Sequence, residues 1–576
     1  MVEGSAKSDC SANPASAPGA GRERRLYRAE VLAQATRLRE EGQPQRQRAD
    51  TLGVARATLR RWEGQAPADA AAEAAFFASP AGMVFLHRLV VSAHWCITLR
   101  AAGGVRVVCE FLELCGLSEV VGSSYGSQQG LNAAIEQHLV ETAAEQRRAL
   151  AARTSAPRLV SLCEDETFHP AICLVALEPV SGFIVLEHYA SDRTAATWTQ
   201  ALTAATAELN LEVIQSTSDE AAALRRHAEV DLNAQHSPDL FHVQHEASKA
   251  TGLALARAVR DADAQVKTCE QALSAARQAE RTYHHHPHGP GRPPDFTQRI
   301  RTASQGLGQA MADRDGAEAR QQQAGGCLRE LSTLYHPYDL EQGQAQTPER
   351  LGERLEGVFQ RLAVIAEEAK LSARACAHLD KAKRVTTHMV ATLVFFFTTL
   401  QQRVEALNLP PALEQLMHEQ LIPARYLERV ATRQSRAEER DRLEALSERL
   451  LAPLRAPDHP FQQLDAATQA TLEQVAGDCA DVFQRSSSAV EGRNGQLSLF
   501  HHGRHRLSER KLSALTAIHN FHIRRSDETT AAERLFGCAH PSLFEEVLKR
   551  TPLPPPARRR RARRSTKVAP LAARAA

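Results

Sequence analysis

Arg158-Leu-Val-Ser-Leu-Cys-Glu-Asp-Glu166 is a strand-forming run that ends in three consecutive acids. Larger apolar side chains alternate with small ones through it, the period-two pattern of a strand whose two faces differ. Residues Ala171–Leu177 and Gly182–Tyr189 carry similar signals, and Glu178-Pro-Val-Ser-Gly182 between them supplies a turn. Together the three runs predict an antiparallel meander. Thr194–Leu209 reads as a helix, and Leu211–Thr217 as a fourth strand that ends in Ser218-Asp219-Glu220 at the start of another helix. A short fifth strand is expected near Leu240–Val243.

Three hairpin strands, then helix, strand, helix and strand, is the element order of a ribonuclease-H-like sheet. Beyond His245 the chain turns helical for more than two hundred residues. Residues Ala250–Arg281 and Thr297–Leu334 have the Ala, Gln, Arg and Glu content of two long antiparallel helices, joined through the His-rich loop His284–His288. That loop is read as a flexible tip rather than a metal site. After a last amphipathic helix at Ala466–Phe483 comes Ser486-Ser-Ser-Ala-Val-Glu-Gly-Arg-Asn494, with a lone acid, Glu491. The fold class predicted is α+β and mostly helical: an N-terminal helix-turn-helix, then a ribonuclease-H-like mixed sheet interrupted by a long all-α insertion.

Upstream, Val31, Leu32, Ala35 and Leu38 mark one helix face, Gln45–Leu52 a second short helix and Ala55–Trp62 a third. Small Ala49, then Gly53 at the bend, then Leu59 and Trp62, is the spacing of a helix-turn-helix. Arg56, Thr58, Arg60 and Arg61 are then the outward, DNA-contacting residues of its recognition helix. The 576 residues exceed what one core accommodates. The domains expected are a disordered 1–22, the helix-turn-helix at 23–66, a helical linker at 67–155, the first part of the core at 156–245, the insertion at 246–485, the last part of the core at 486–550 and a basic tail at 551–576. Aromatics make up only 5% of the chain, which favours helix over a large β sandwich. The net charge of +2 hides an asymmetry: Arg558–Arg561, Arg563, Arg564, Lys567 and Arg574 crowd the tail, leaving the rest net negative. The 11 cysteines show no Cys-x-x-Cys and read as reduced thiols. No apolar leader opens the chain, and Met389–Leu400 is too short to span a bilayer, so no membrane partner and a cytoplasmic, nucleoid-associated location are expected.

Asp165 and Asp219, at the ends of strands that neighbour each other in such a sheet, are candidates to share a metal with Glu491. Three carboxylates suit Mg²⁺ (or Mn²⁺), a hard cation that keeps several waters. Two such ions can activate an attacking hydroxyl and stabilise a leaving oxygen at phosphorus. Alternation along the first strand does not choose between Asp165 and its neighbours Glu164 and Glu166. His242, three residues after Asp239, is a catalytic or phosphate-positioning candidate, with a buried structural role as the alternative. Arg493, Asn494, Arg504 and Arg506, amid several histidines, are candidate contacts to a DNA backbone.

Glu164-Asp-Glu-Thr-Phe168, Ile214-Gln-Ser-Thr-Ser-Asp-Glu-Ala221, His236-Ser-Pro-Asp-Leu-Phe-His-Val-Gln-His-Glu246 and Ser488-Ala-Val-Glu-Gly-Arg-Asn-Gly495 resemble bacterial insertion-sequence transposases of the DDE type. The Asp239-x-x-His242 element and the insertion before the last Glu also resemble the Mutator and hAT groups. The resemblance spans roughly residues 25–550, and its most specific piece is Val-Glu-Gly-Arg-Asn-Gly. It implies that Asp165, Asp219 and Glu491 form a catalytic triad using two Mg²⁺ or Mn²⁺ ions. It further implies double-stranded transposon ends and target DNA as partners, and a homodimer or higher assembly on DNA. The alternatives are a non-catalytic DNA-binding regulator or domesticated remnant, and a repair nuclease that would have no use for the helix-turn-helix.

Overall fold

The structure is a computed structural model that describes residues 20–64, 76–77, 79–168, 171–287, 289, 291–504 and 507–552. The expectations of disorder for 1–19 and for the tail from 553, and the positions of His288 and Arg506, fall outside those residues; residues 20–22 begin a helix. The first helices are α1 (Ala20–Glu40), α2 (Gln45–Thr51), α3 (Arg56–Glu63), α4 (Pro80–His94, running into a π-turn at Trp95–Arg100), α5 (Val105–Leu114) and α6 (Tyr125–Ala151). The sheet region follows: β1 (Arg158–Phe168), β2 (Ile172–Glu178), β3 (Phe183–Ala190), α7 (Ala195–Leu209), β4 (Leu211–Ser218), α8 (Ala222–Arg226) and β5 (Gln235–Pro238). The insertion holds α9 (Leu240–His285), α10 (Phe296–Leu334), α11 (Pro348–Glu368), α12 (Ala373–Arg384), α13 (Thr386–Glu405), α14 (Pro411–Leu416), α15 (Ile422–Thr432), α16 (Ala437–Leu451) and α17 (Ala466–Ala480). Last come α18 (Ser488–Arg504), α19 (Glu509–Phe521), α20 (Ala531–Phe536) and α21 (Leu543–Arg550).

The chain divides into two compact units, one formed by residues 1–146, 502–522 and 540–576, the other by 147–501 and 523–539. In the first, α1, α2 and α3 close around Val31, Ala35, Ala49 and Leu59, with Leu52, Val54 and Trp62 at the margin. Gly53 takes a positive φ of 63°, which an L side chain adopts only at a cost, and so turns the chain between α2 and α3. Arg48 is buried, and its Nη1 donates to the Ala35 carbonyl at 3.1 Å and to Glu63 at 2.6 Å. The run Pro80–Arg100 is long and apolar enough to cross a membrane by length and composition, but half of its apolar window is buried in the protein. Two of its polar side chains are satisfied there, His94 by Gln128 at 2.8 Å and Thr98 by Asn132 at 2.8 Å. Burial pushes His94 below the usual histidine range, against the pull of those two amides. The run is therefore a core helix of this unit.

The second unit is built on a five-stranded mixed sheet in the order β3-β2-β1-β4-β5. β1 runs antiparallel to β2 and parallel to β4, and β4 runs parallel to β5. Leu162, Leu174, Val175, Phe183 and Ile184 are almost wholly buried in it. Two boundaries differ from the sequence expectation. β1 continues past Cys163 to Phe168 because β2 pairs along it, so its three acids lie inside the strand. The fifth strand is Gln235–Pro238, and Leu240–Val243 is the first turn of α9. The Asp239 carboxylate accepts from the Phe241 N–H and caps that helix, and Leu240 and Val243 are buried together at helical spacing.

The α+β class with a large all-α insertion is the architecture found. The insertion leaves and re-enters the core at one place. The Leu240 N–H donates to the Arg485 carbonyl at 2.9 Å. The Arg485 guanidinium donates to the Ser332 and Tyr335 carbonyls at 2.8 and 3.2 Å. Some 240 residues are thereby looped out without displacing the segment that leads into α18. Their core gathers Tyr335, Tyr338, Phe396, Tyr426 and Phe483 among Leu and Ala.

Candidate active site

The site follows from strand register. Cys163 on β1 lies opposite Thr217 on β4, and Thr217 opposite Ser237 on β5. Two residues further on come Asp165, inside β1, and Asp219 and Asp239, each the first residue past the end of its strand, so that the three form a row along this end of the parallel strands. The same row continues across the antiparallel side, where Asp165 pairs with Val175 and Val175 with Glu187. The other face is different. Glu164 is buried with His227 Nε2 at 3.7 Å, and Glu166 accepts from Trp198 Nε1 at 3.3 Å. Alternation within a strand whose faces meet different neighbours thus separates Asp165 from the acids on either side of it.

The segment leading into α18, and α18 itself, cross this row. Ser161 and Cys163 donate to the carbonyls of Val482 and Ser486 at 3.4 Å each. The Ser487 hydroxyl donates to Asp239 in a short contact. Further along, Asn494 Nδ2 reaches Asp165 Oδ2 at 3.5 Å. Arg493 forms a two-pronged ion pair with Glu187, both distances 2.7 Å. Seven residues of helix advance about 10 Å, which matches two strand spacings of about 4.8 Å, so the path from β5 to β1 passes over β4. Glu491 falls in that interval, in the first turn of α18, one turn before Asn494, with its side chain exposed.

The acids of the row are not equivalent. Asp239 is buried, and its two oxygens serve the α9 cap and Ser487; it fixes the start of α18 rather than facing a ligand. Asp219 accepts from the Ala221 N–H at 3.0 Å, and Asp165 from the Glu166 N–H at 2.8 Å. Burial lifts the Asp165 carboxyl to about 6; the Glu166 N–H and His242 oppose the rise, and the charge of Asp219 adds to it. Glu164, buried deeper, is pushed up to about 7 by the loss of water, with Ser216 partly offsetting. The His242 ring is 40% exposed, with Nε2 3.9 Å from Asp239. It is therefore not the fully buried structural histidine that the sequence left open.

Other sequence candidates scatter. Arg493 needs correction as a DNA contact: it is 5% exposed and its partner Glu187 fully buried, so its charge is already spent inside the protein. Asn494 is turned toward Asp165 rather than outward. Arg504 ends α18. Arg56, Arg60 and Arg61 are exposed on α3 and Thr58 is half-buried.

A second group was not singled out from sequence. Glu220, His236 and His388 bring one oxygen and two ring nitrogens within 4.8 Å of one another and can hold a metal ion. Glu220 follows Asp219 directly, His236 is on β5, and His388 comes from the first turn of α13 in the insertion. Only the adjacency of Glu220 to Asp219 was visible in the chain; His388 lies some 150 residues from its partners, with no spacing motif to link it.

Residues 417–563 match a family described as "Family of unknown function (DUF6399)". The match takes in the end of the insertion and all of α18, and covers less than half of the chain. No curated protein matches the chain. The class that fold and site define is thus a protein with a mixed sheet of ribonuclease-H-like order, carrying an acid and histidine cluster able to hold a metal.

Proposed function

We propose that the chain is a DNA transposase of the DDE type, cutting and joining transposon ends through two divalent cations held by Asp165, Asp219 and Glu491. The observation that carries the reading is the pair of acids on neighbouring parallel strands: Asp165 lies within β1 and Asp219 directly follows the end of β4, close enough for its charge to act on Asp165, and Asn494 of the helix that bears Glu491 reaches Asp165. The donor set fits Mg²⁺ or Mn²⁺, because it is all hard oxygen. Asn494 Oδ1 is buried without a hydrogen-bond partner beside it, as a group facing a missing ligand would be. When bound, such ions supply a nucleophilic oxygen at neutral pH and neutralise charge on the phosphate.

The chain's own groups do the rest. Asp239 and Ser487 seat the start of α18, and the Arg493–Glu187 pair fixes the next turns, so Glu491 and Asn494 are positioned by buried contacts. His242, beside Asp165 and partly open to solvent, is placed to contact a phosphate or carry a proton. The exposed arginines of α3 suit a major-groove contact that would select the ends.

The test is a cleavage assay on DNA flanking the gene with Mg²⁺ or Mn²⁺. Asp165→Asn and Asp219→Asn are each expected to lower strand cleavage by about a thousandfold, a loss of roughly 4 kcal/mol in the barrier. Metal-dependent nicking that survives Asp165→Asn in a folded preparation would refute the assignment.

A further inference from the structure

We infer that Glu220, His236 and His388 form a separate binding site for a zinc-class transition-metal ion, which clamps the insertion onto the end of the catalytic sheet. The donor atoms differ in kind from those of the carboxylate row: two imidazole nitrogens and one carboxylate oxygen is a ligand set that favours Zn²⁺ or Co²⁺ over Mg²⁺. His388 Nδ1 lies 3.0 Å from Glu220 Oε2, and His236 Nδ1 lies 3.9 Å from Glu220 Oε1. Those two distances run to different oxygens of the carboxylate, and one donor atom from each of the three residues lies within 4.8 Å of the others, against about 3.3 Å in a tetrahedral zinc site, so an ion would draw the three side chains together.

The independent observation is His236. It is 1% exposed, and its Nε2 is engaged by the Ser218 hydroxyl at 3.1 Å. Its Nδ1, turned toward Glu220, is buried with no hydrogen-bond partner. An orphaned ring nitrogen at that depth has lost its water without a replacement partner, and a metal supplies one. Bonding of Nε2 to a hydroxyl also leaves Nδ1 as the ligating atom, the usual outer-shell arrangement of a metal-bound histidine.

The consequence is mechanical. Thr392, one helical turn after His388, donates to the Ser237 hydroxyl at 3.1 Å, so α13 already lies along β5. A metal bound by His388 together with Glu220 and His236 adds a stronger link at the end of that contact, one residue from Asp219. Arg225, with Nε 3.8 Å from Glu220, is a nearby cation that such an ion must tolerate.

The experiment measures metal retention, not DNA cleavage, so its outcome is separable from the proposed activity. The full chain carries His284, His285, His286 and His288 replaced by Ala, which removes the histidine-rich loop as a chelator. It is loaded with Zn²⁺, desalted and assayed for metal, and loaded in parallel with Co²⁺ for its visible spectrum. One equivalent of Zn²⁺ should remain, in the presence of excess Mg²⁺ and equally in Asp165→Asn, with the intense bands of four-coordinate Co²⁺. Glu220→Gln and His388→Ala should each lose the ion and the metal-induced rise in Tm. His388 is partly exposed, so its variant is expected to fold even if His236→Ala does not. Less than a tenth of an equivalent retained, or retention unchanged in His388→Ala, overturns the inference.

Discussion

The carboxylate row and the Glu220–His236–His388 group lie within one residue of each other in sequence at Asp219–Glu220, yet they are built on opposite principles. The row is made by register: neighbouring strands put Asp165 and Asp219 at the same height, and a helix is laid across them. The cluster is made by docking, since His388 arrives on a helix of the insertion. The row collects like charges, and burial raises Asp165 against ionisation. The cluster collects one carboxylate and two imidazoles. The difference teaches that one end of a sheet can gather two groups of donor atoms of different hardness, separated by which elements are placed on it.

The largest expected break in the comparison is Arg493→Ala. It strands the fully buried Glu187 charge and should lower unfolding stability by about 3–5 kcal/mol, read from denaturant unfolding. Below the transition, cleavage should fall while zinc at the cluster is retained, because α18 supplies none of its ligands; Arg493→Lys should lie in between. Equal loss of both would mean that the two sites are one cooperative assembly.

A smaller effect is expected of pH. Asp165 is protonated below about 6 and must lose that proton to bind a cation. Mn²⁺ affinity, followed by calorimetry in the His388→Ala background, should therefore rise as the pH climbs through 6 and then level off. The same profile in Asp165→Asn should lose the inflection near 6. An unchanged inflection in that variant would assign the titration to another group. Asn494→Ala is the mildest change, removing one 3.5 Å contact to Asp165. About a tenfold loss of cleavage, or roughly 1.4 kcal/mol, is expected, with stability nearly unaltered.

Much of this molecule is legible in its residues. The turn at Glu178–Gly182, the alternation of Leu162, Cys163 and Leu174, and the Asp219 strand end were enough for the sheet and its order. The register row was within reach as well, since Asp165 and Asp219 each end a strand-like run. The fifth strand was misplaced because the four residues Leu240–Val243 are too short a run to establish a period, and the Asp239 cap decides for helix. Arg493 reads as a free cation in sequence because nothing local announces Glu187, 306 residues upstream.

What the sequence determined by itself is what depends on neighbours a few residues away: strand alternation, helical periodicity, the Gly53 turn and the hard-oxygen chemistry of Asp165, Asp219 and Glu491. Tertiary structure alone decided which face each acid meets, which charges are already paired, and that His388 meets Glu220. Those outcomes depend on burial and on distances between segments hundreds of residues apart. The packed core sets them, and no local pattern encodes them.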